Sequence, residues 1–191
     1  MAYDLKNVFY LDTNLTLGTH FDAGTQVSSV LDVSSYVNPI GSSRSKGTGL
    51  AIYKVQFTRS DSSGNRPVVA AETSAFRTAL LAGYDTTQAA AAATDLATNQ
   101  LSGSNDLMIA GIDYYSPSST GADKEISPMS GSPFLEPSTE VPYVVVRDQI
   151  VLALNVTTAM SVGSSVKVRM ECAQVSLDQA TLNQLLRTQT V

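Results

Sequence analysis

The chain has 191 residues, of which 43% are hydrophobic and 15% are charged, and its net charge is −5 with a pI of about 4.7. This length suits one domain whose core needs no metal or disulfide, and the single cysteine excludes an internal disulfide. The twelve Lys and Arg residues are scattered, which excludes the clustered cations that strong binding to a nucleic-acid backbone requires.

The start of the chain is expected to carry no secretory signal. Residues 1–6 lack the apolar region of a signal peptide, and no apolar stretch in the chain is long enough to cross a bilayer. We therefore expect synthesis in a cytoplasm without a signal peptide, and no transmembrane segment. The low content of charged residues leaves little repulsion between copies, which favours self-association.

The first part of the chain is predicted to form strands separated by turns. Strands are expected over 7–17 and 50–58, where apolar residues alternate, and over 26–37, where an irregular apolar pattern is typical of an edge strand or a bulge. Gly and Asn in the segment 61–65 predict a turn, because both tolerate positive φ. With a further strand over 67–73, this turn predicts a hairpin.

An Ala-rich helix is predicted near 85–100. Asp85 and Gln88 have the spacing of a capping box, in which the Asp side chain accepts from a backbone N–H while Gln reaches back to the cap. The run of alanines that follows is the best helix-forming stretch of the chain. We expect this helix to lie against a sheet or a neighbouring subunit.

The second half returns to strands. One is expected over 106–115, and the segment 143–156 reads as one bulged strand or as two strands. Between them, residues 116–141 are predicted to form a long Pro-rich loop. Phe134 and Leu135 should fix part of that loop against an apolar surface.

The last strand and helix are predicted from alternation and capping. Residues 165–175 alternate, so that Cys172 faces the core as a small buried hydrophobe. A capping box over 176–179 then starts a helix near 177–188. Three leucines lie on one face of this helix and should pack either on its own sheet or on a neighbour: Leu182, Leu185 and Leu186.

No constellation of catalytic, cofactor-binding or metal-binding residues can be assembled, so we expect that the protein is not an enzyme and needs no cofactor. His20 is the single histidine and is interpreted as a loop residue, and zinc would need further ligands. The Gly-rich segment 41–49 lacks the spacing of a phosphate-binding loop. Calcium remains open, as do paired carboxylates, for which the strands offer these candidates: Glu72, Asp113, Asp148 and Glu171.

Roughly seven or eight short strands predict a mainly β fold: a two-sheet antiparallel sandwich of jelly-roll type, with one inserted helix and a short C-terminal helix, in a single domain over 1–191. The Ser/Thr/Ala/Gly-rich turns, the Pro-rich loop and the leucine-faced C-terminal helix together resemble a viral capsid protein of the single jelly-roll kind. The resemblance covers most of the chain.

This resemblance implies a structural virion protein that builds a shell by self-assembly. Its expected partners are further copies of itself and other virion proteins. The interface is expected at Leu182, Leu185 and Leu186 and, in the long loop, at Phe134 and Leu135. The alternative is a carbohydrate- or receptor-binding head of a phage or viral appendage, which would bind a glycan.

Overall fold

The computed structural model describes residues 8–16, 22–38, 46–61, 74–97, 107–116, 130–158 and 164–189. In these ranges the strands are β1 (Phe9–Thr16), β2 (Gln26–Asp32), β3 (Lys46–Asp61), β4 (Ser74–Ala82), β5 (Met108–Ser116), β6 (Ser130–Leu135), β7 (Tyr143–Val145), β8 (Gln149–Thr158) and β9 (Ser164–Asp178). The helices are α1 (Ala89–Ala97), between β4 and β5, and α2 (Gln179–Thr188), after β9.

The strands form two antiparallel sheets. The four-stranded sheet has the order β1-β9-β3-β7, and the five-stranded sheet has the order β2-β8-β4-β5-β6. Strands from opposite ends of the chain pair in a nested series, β1 with β9, β2 with β8, β3 with β7 and β4 with β5. Successive pairs alternate between the sheets, as in one long hairpin rolled into a sandwich, which is the jelly-roll topology. The predicted fold class is confirmed. Strand β6 is not part of the nested series and is the fifth strand of the second sheet.

The interior of the sandwich is filled by apolar side chains from the inner faces of both sheets. Alternation sets these faces, since every second residue of a strand points to the same side. The largest of the fully buried inner side chains come from four strands of the two sheets: Leu50, Ile52, Phe76, Leu80, Ile109, Ile150, Leu152 and Leu154. Cys172 is fully buried among them, as its alternation predicts.

Helix α1 lies on the outer face of the five-stranded sheet. Its buried residues Ala92, Ala93 and Leu96 pack with outward-facing residues of β4, β5 and β8. The predicted capping box is present, because the carboxylate of Asp85 accepts from the backbone N–H of Gln88 at 2.9 Å while the Gln88 amide oxygen accepts from the backbone N–H of Asp85 at 3.3 Å. The small alanine side chains allow this helix to approach the sheet closely.

Helix α2 covers part of the outer face of the four-stranded sheet. The capping prediction was wrong in its register, because β9 continues to Asp178 and this residue is the N-cap, accepting from the backbone N–H of Thr181 at 2.7 Å. After the helix, the side-chain amide of Gln189 accepts from the backbone N–H of Val146 and donates to the carbonyl of Val144, at 3.0 and 2.6 Å. Gln189 thereby supplies the hydrogen bonds that a neighbouring strand would give β7. Neither helix of the described residues is long and apolar enough to cross a membrane.

The structure differs from the sequence prediction in the middle of the chain. No element was predicted over 74–84, where strand β4 (Ser74–Ala82) lies. The expected hairpin partner at 67–73 lies outside the described residues, and the next described strand after β3 belongs to the other sheet. The segment 116–141 contains strand β6 and is not entirely a loop. Of the two alternatives for 143–156, two strands is confirmed, because the segment divides into β7 and β8, one in each sheet.

Candidate interaction surfaces

The three leucines of α2 pack against the chain's own sheet. Leu182 is fully buried, and it contacts a cluster on the outer face of the four-stranded sheet that includes Tyr53 and Leu177. Leu185 and Leu186 are partly buried at the margin of the same cluster. Leu182 is therefore a residue of the monomer's own packing, whereas the role of Leu185 and Leu186 in a subunit interface stays a prediction.

Phe134 and Leu135 lie on β6 and are partly buried against the outer face of the five-stranded sheet. The ring of Phe134 rests on Gly111, where an added Cβ would overlap the ring atoms. The guanidinium group of Arg77 lies over the same ring, 5.1 Å from its centroid. The apolar contact expected for Phe134 is thus made within the chain, and an interface role for this residue and Leu135 stays a prediction.

The edge strands of the two sheets differ in how they are covered. The edge of β7 is capped by the Gln189 amide, β6 contains Pro133, which has no N–H to donate, and α1 packs beside β2. Strand β1 has eight residues, all of them paired with β9 on one side, and among the described residues no strand pairs with its other side. Two large apolar side chains at the start of β1 are exposed, Val8 (47%) and Tyr10 (60%).

A polar surface adjoins this open edge, and we call it the polar sheet face. It consists of outward-facing side chains of β1, β9 and β3 around a depression of about 560 Å³. Register sets its rows, with Asp12 beside Arg169 and Gln56, and Asn14 beside Lys167 and Thr58. Tyr10, Lys54 and Glu171 form the next row.

The charges on the polar sheet face are partly paired. Arg169 binds the Asp12 carboxylate through two hydrogen bonds of 2.8 and 3.2 Å, and its guanidinium group lies 5.6 Å from the Tyr10 ring centroid. Accepting these hydrogen bonds lowers the pKa of Asp12, so the pair stays charged at neutral pH. Lys167 forms no ion pair with another described residue. With Lys54 and Glu171 included, the face has three cations and two carboxylates, a net charge of +1 in a chain of net charge −5.

An acidic turn lies at the opposite edge of the sandwich, where residues 136–142 connect β6 in one sheet with β7 in the other. The turn is closed by the Ser138 N–H, which donates to the Val141 carbonyl at 3.2 Å, and by the Val141 N–H, which donates to the Ser138 hydroxyl at 3.1 Å. It carries two exposed carboxylates, Glu136 and Glu140, and Val141 is 74% exposed.

Neither this turn nor Tyr10 and Lys167 was predicted from the sequence as part of an interaction surface. The polar face of β1 could have been predicted from alternation, because placing Leu11 and Leu15 in the core leaves the residues between them on the outside.

The candidate carboxylates Asp113 and Glu171 do not form a catalytic pair. Asp113 faces outward from the five-stranded sheet and binds Arg77 at 2.7 and 3.1 Å, whereas Glu171 faces outward from the four-stranded sheet, so the sandwich separates them. Asp148 lies in the exposed turn between β7 and β8. Glu72 and His20 lie outside the described residues, as do most residues of the 61–65 turn and of the Gly-rich segment 41–49. Within the described part of the chain, no group of three or more His, Cys, Asp or Glu side chains is placed to hold a metal.

No protein-family model matches the chain, and no curated protein matches it. Among solved structures, the apo structure of VP1 from New Jersey polyomavirus is similar, with a TM-score of 0.39 and 8% sequence identity, and the match covers 90% of this chain and 100% of that chain. A TM-score this low supports no conclusion about a shared function. The fold class therefore rests on the strand order, and the function has to be inferred from this chain's own residues.

Proposed function

We propose that the protein is a structural building block of a virion shell and acts by self-assembly. The observation that carries this proposal is the nested strand order of a jelly roll closed around a solid apolar core. Jelly rolls serve as viral capsid domains, as lectins and as cupins. A shell needs a rigid block of this kind, since close packing makes the core resist deformation when copies press against each other.

The filled interior favours a building block over an enzyme of the same fold. A jelly roll that binds a small molecule between its sheets must leave a cavity there. Here the facing side chains occupy that space, and residues such as Phe76, Leu80 and Leu152 are at most 1% exposed. We infer that the protein acts through its outer surfaces and edges, and that it is not an enzyme.

Location in the virion and contacts with other virion proteins belong to the same proposal. The net charge of −5 and the single net positive charge of the polar sheet face favour protein partners over nucleic acid. Any genome enclosed by such a shell would then be contacted mainly by another component.

The proposal is tested by measuring the mass of the purified protein with light scattering across a concentration series, and by imaging the same samples in negative stain. Closed particles, sheets or rings of defined size are the expected result. A protein that remains monomeric at every concentration and ionic strength would overturn the proposal.

A second function, as a carbohydrate- or receptor-binding head, is favoured by one observation. The depression on the polar sheet face is lined by carboxylate, amide, hydroxyl and cationic groups beside the exposed Tyr10 ring, a combination suited to hydroxyl-rich ligands. Saturable binding to a glycan panel by a small closed oligomer, lost on replacing Asn14 and Gln56 with alanine, would establish this function. Absence of binding to every glycan tested, with assembly intact, would leave the shell as the function.

A further inference from the structure

The two edges of the four-stranded sheet carry opposite charge. On the β1 side, Lys167 and the Arg169–Asp12 pair adjoin the exposed residues Val8 and Tyr10. On the β7 side, the acidic turn presents Glu136 and Glu140 with no compensating cation within the turn, and neither forms an ion pair with another described residue. Each edge therefore presents an apolar side chain beside charged groups, and the signs of these charges are complementary.

The two edges also lie at the same level of the sheet. The register links Phe9 to Cys172, Cys172 to Ile52 and Ile52 to Tyr143, so Phe9 and Tyr143 stand at opposite ends of one row. Strands β1 and β7 run in opposite directions, because three antiparallel pairings separate them. Val141 precedes Tyr143 by two residues, and moving back along β7 follows the direction of β1 from Phe9 to Leu11. The turn therefore leaves the sheet next to the row of Phe9, on the side toward Leu11.

We infer that copies of this chain associate head to tail, with the acidic turn 136–142 of one copy seated on the β1 edge of the next. Glu136 and Glu140 then face Lys167 and Arg169 of the neighbour, and Val141 packs against the neighbour's Tyr10. This inference rests on the proposed shell function and names the contact by which copies meet. Because the two surfaces stand level on one sheet, repeating the contact involves little translation along the strands, which is the condition for a closed ring instead of an open filament.

A contact between two β1 edges is the competing arrangement. An unpaired strand invites addition of another strand, and a two-fold axis would place two β1 strands side by side. That arrangement leaves Val141 and the acidic turn exposed and brings the same charges of two copies together. The head-to-tail contact instead covers the exposed apolar side chains of both edges and pairs opposite charges.

Charge reversal tests the contact. Lys167→Glu places a carboxylate opposite the neighbour's Glu140, and Glu140→Lys places two cations together, so each single change should raise the concentration needed for half-assembly at least about tenfold. The double variant restores an opposite pair and should assemble within about threefold of the wild type. Arg187→Glu, on the exposed side of α2, gives the same change of net charge as Lys167→Glu and should leave assembly unchanged.

Cross-linking tests the arrangement. Cys172 is fully buried, so a Tyr10→Cys variant and a Val141→Cys variant each carry one accessible thiol among the described residues. Mixing the two variants with a short bis-maleimide should give a dimer that contains one chain of each. A Tyr10→Cys variant that cross-links to itself would overturn the head-to-tail contact and favour β1–β1 pairing, and particles that form without any cross-link at these positions would also overturn it.

The outcomes separate this inference from the proposed function. If the wild type assembles and the charge-reversal variants assemble equally well, the contact is wrong and the shell function stands. If the wild type never assembles, both fail. Weakened single variants with a restored double variant would support both.

Discussion

At the scale of single residues, the core fixes the chemistry of its one thiol. Cys172 is fully buried between the sheets, and burial, together with the nearby Glu171 carboxylate, raises the pKa of the thiol to about 12. Thiolate is the reactive form of cysteine, and almost none of it exists in the folded protein near neutral pH. Cys172 is therefore a packing residue and not a redox site.

We predict that Cys172 does not react with a disulfide reagent such as dithionitrobenzoate at pH 8 in the folded protein. In about 6 M guanidinium chloride the thiol becomes accessible with an ordinary pKa, and one equivalent should react within minutes. Absorbance of the released thiolate measures both states. Rapid reaction under native conditions would contradict the buried position.

Gly111 illustrates a residue whose lack of a side chain is used for packing. The Phe134 ring occupies the space that a Cβ on Gly111 would need, and the guanidinium group of Arg77 lies over the same ring. A methyl group at this position overlaps the ring, which would have to shift and so disturb its contact with Arg77. The position requires glycine because of this close approach and not because of an unusual φ.

Gly111→Ala should therefore lower the free energy of unfolding by about 1–3 kcal/mol, as overpacking does in general. Chemical denaturation followed by circular dichroism gives this value. In a Phe134→Ala background the same change should cost less than half as much, because the ring is gone. An equal cost in both backgrounds would show that the ring is not the cause.

At the scale of elements, α2 is held at both ends by specific polar contacts. Asp178 caps its start, and Gln189 binds the edge of β7 after its end. The hydrogen bond from the Thr181 N–H lowers the pKa of Asp178, because it stabilises the carboxylate. A carboxyl group whose folded pKa is depressed stabilises the fold above its unfolded pKa, and this stability is lost as the pH falls through the folded value.

Asp178→Ala should accordingly lower the melting temperature at pH 7 by roughly 2–4 °C. The difference from the wild type should shrink as the pH falls below about 4, where the wild-type carboxyl is protonated as well. Scanning calorimetry at several pH values measures both effects. A difference that does not depend on pH would mean that the carboxylate does not act as the cap.

Some elements could be predicted from the sequence and others could not, for physical reasons. Over residues 165–172 of β9, one face is core and the other is polar, so alternation revealed both the strand and the buried position of Cys172. Strand β4 is buried on both faces, between the core and α1, and its Ala and Leu residues match helix propensity as well as strand periodicity. Tertiary burial overrides propensity there, and a single sequence does not show which sheet will receive the strand.

The candidate surfaces were less predictable than the fold. Leucines on one face of α2 indicated burial, and the structure supplies it from the chain's own sheet, so amphipathicity does not distinguish home packing from an interface. The polar sheet face depends on the pairing of β1 with β9, whose residues Asp12 and Arg169 are 157 positions apart. Such pairing follows from the nested topology and leaves no local signal in either strand.

At the scale of the whole molecule, the charge distribution predicts how assembly should respond to salt. The inferred contact joins a face of net charge +1 to a turn with two carboxylates, so attraction between copies should speed their encounter. Raising the ionic strength from about 0.05 M to 0.5 M shortens the screening length to a few ångströms.

The initial rate of assembly, followed by light scattering, should therefore fall by about tenfold or more over this range. The Lys167→Glu/Glu140→Lys double variant should show the same dependence, since it retains opposite charges across the contact. A rate that is constant or rises with salt would indicate that apolar burial alone drives association.

The pairing of β1 with β9 also determines when β1 can join its sheet during synthesis of the chain. Asp12 leaves the ribosome 157 residues before its partner Arg169, a delay of roughly 8–30 s at synthesis rates of about 5–20 residues per second. Until then β1 has no strand on either side, and the cations of β9 that adjoin its edge do not yet exist. A nascent chain thus cannot offer the β1 docking surface to a finished neighbour until β9 has been synthesised and has paired with β1.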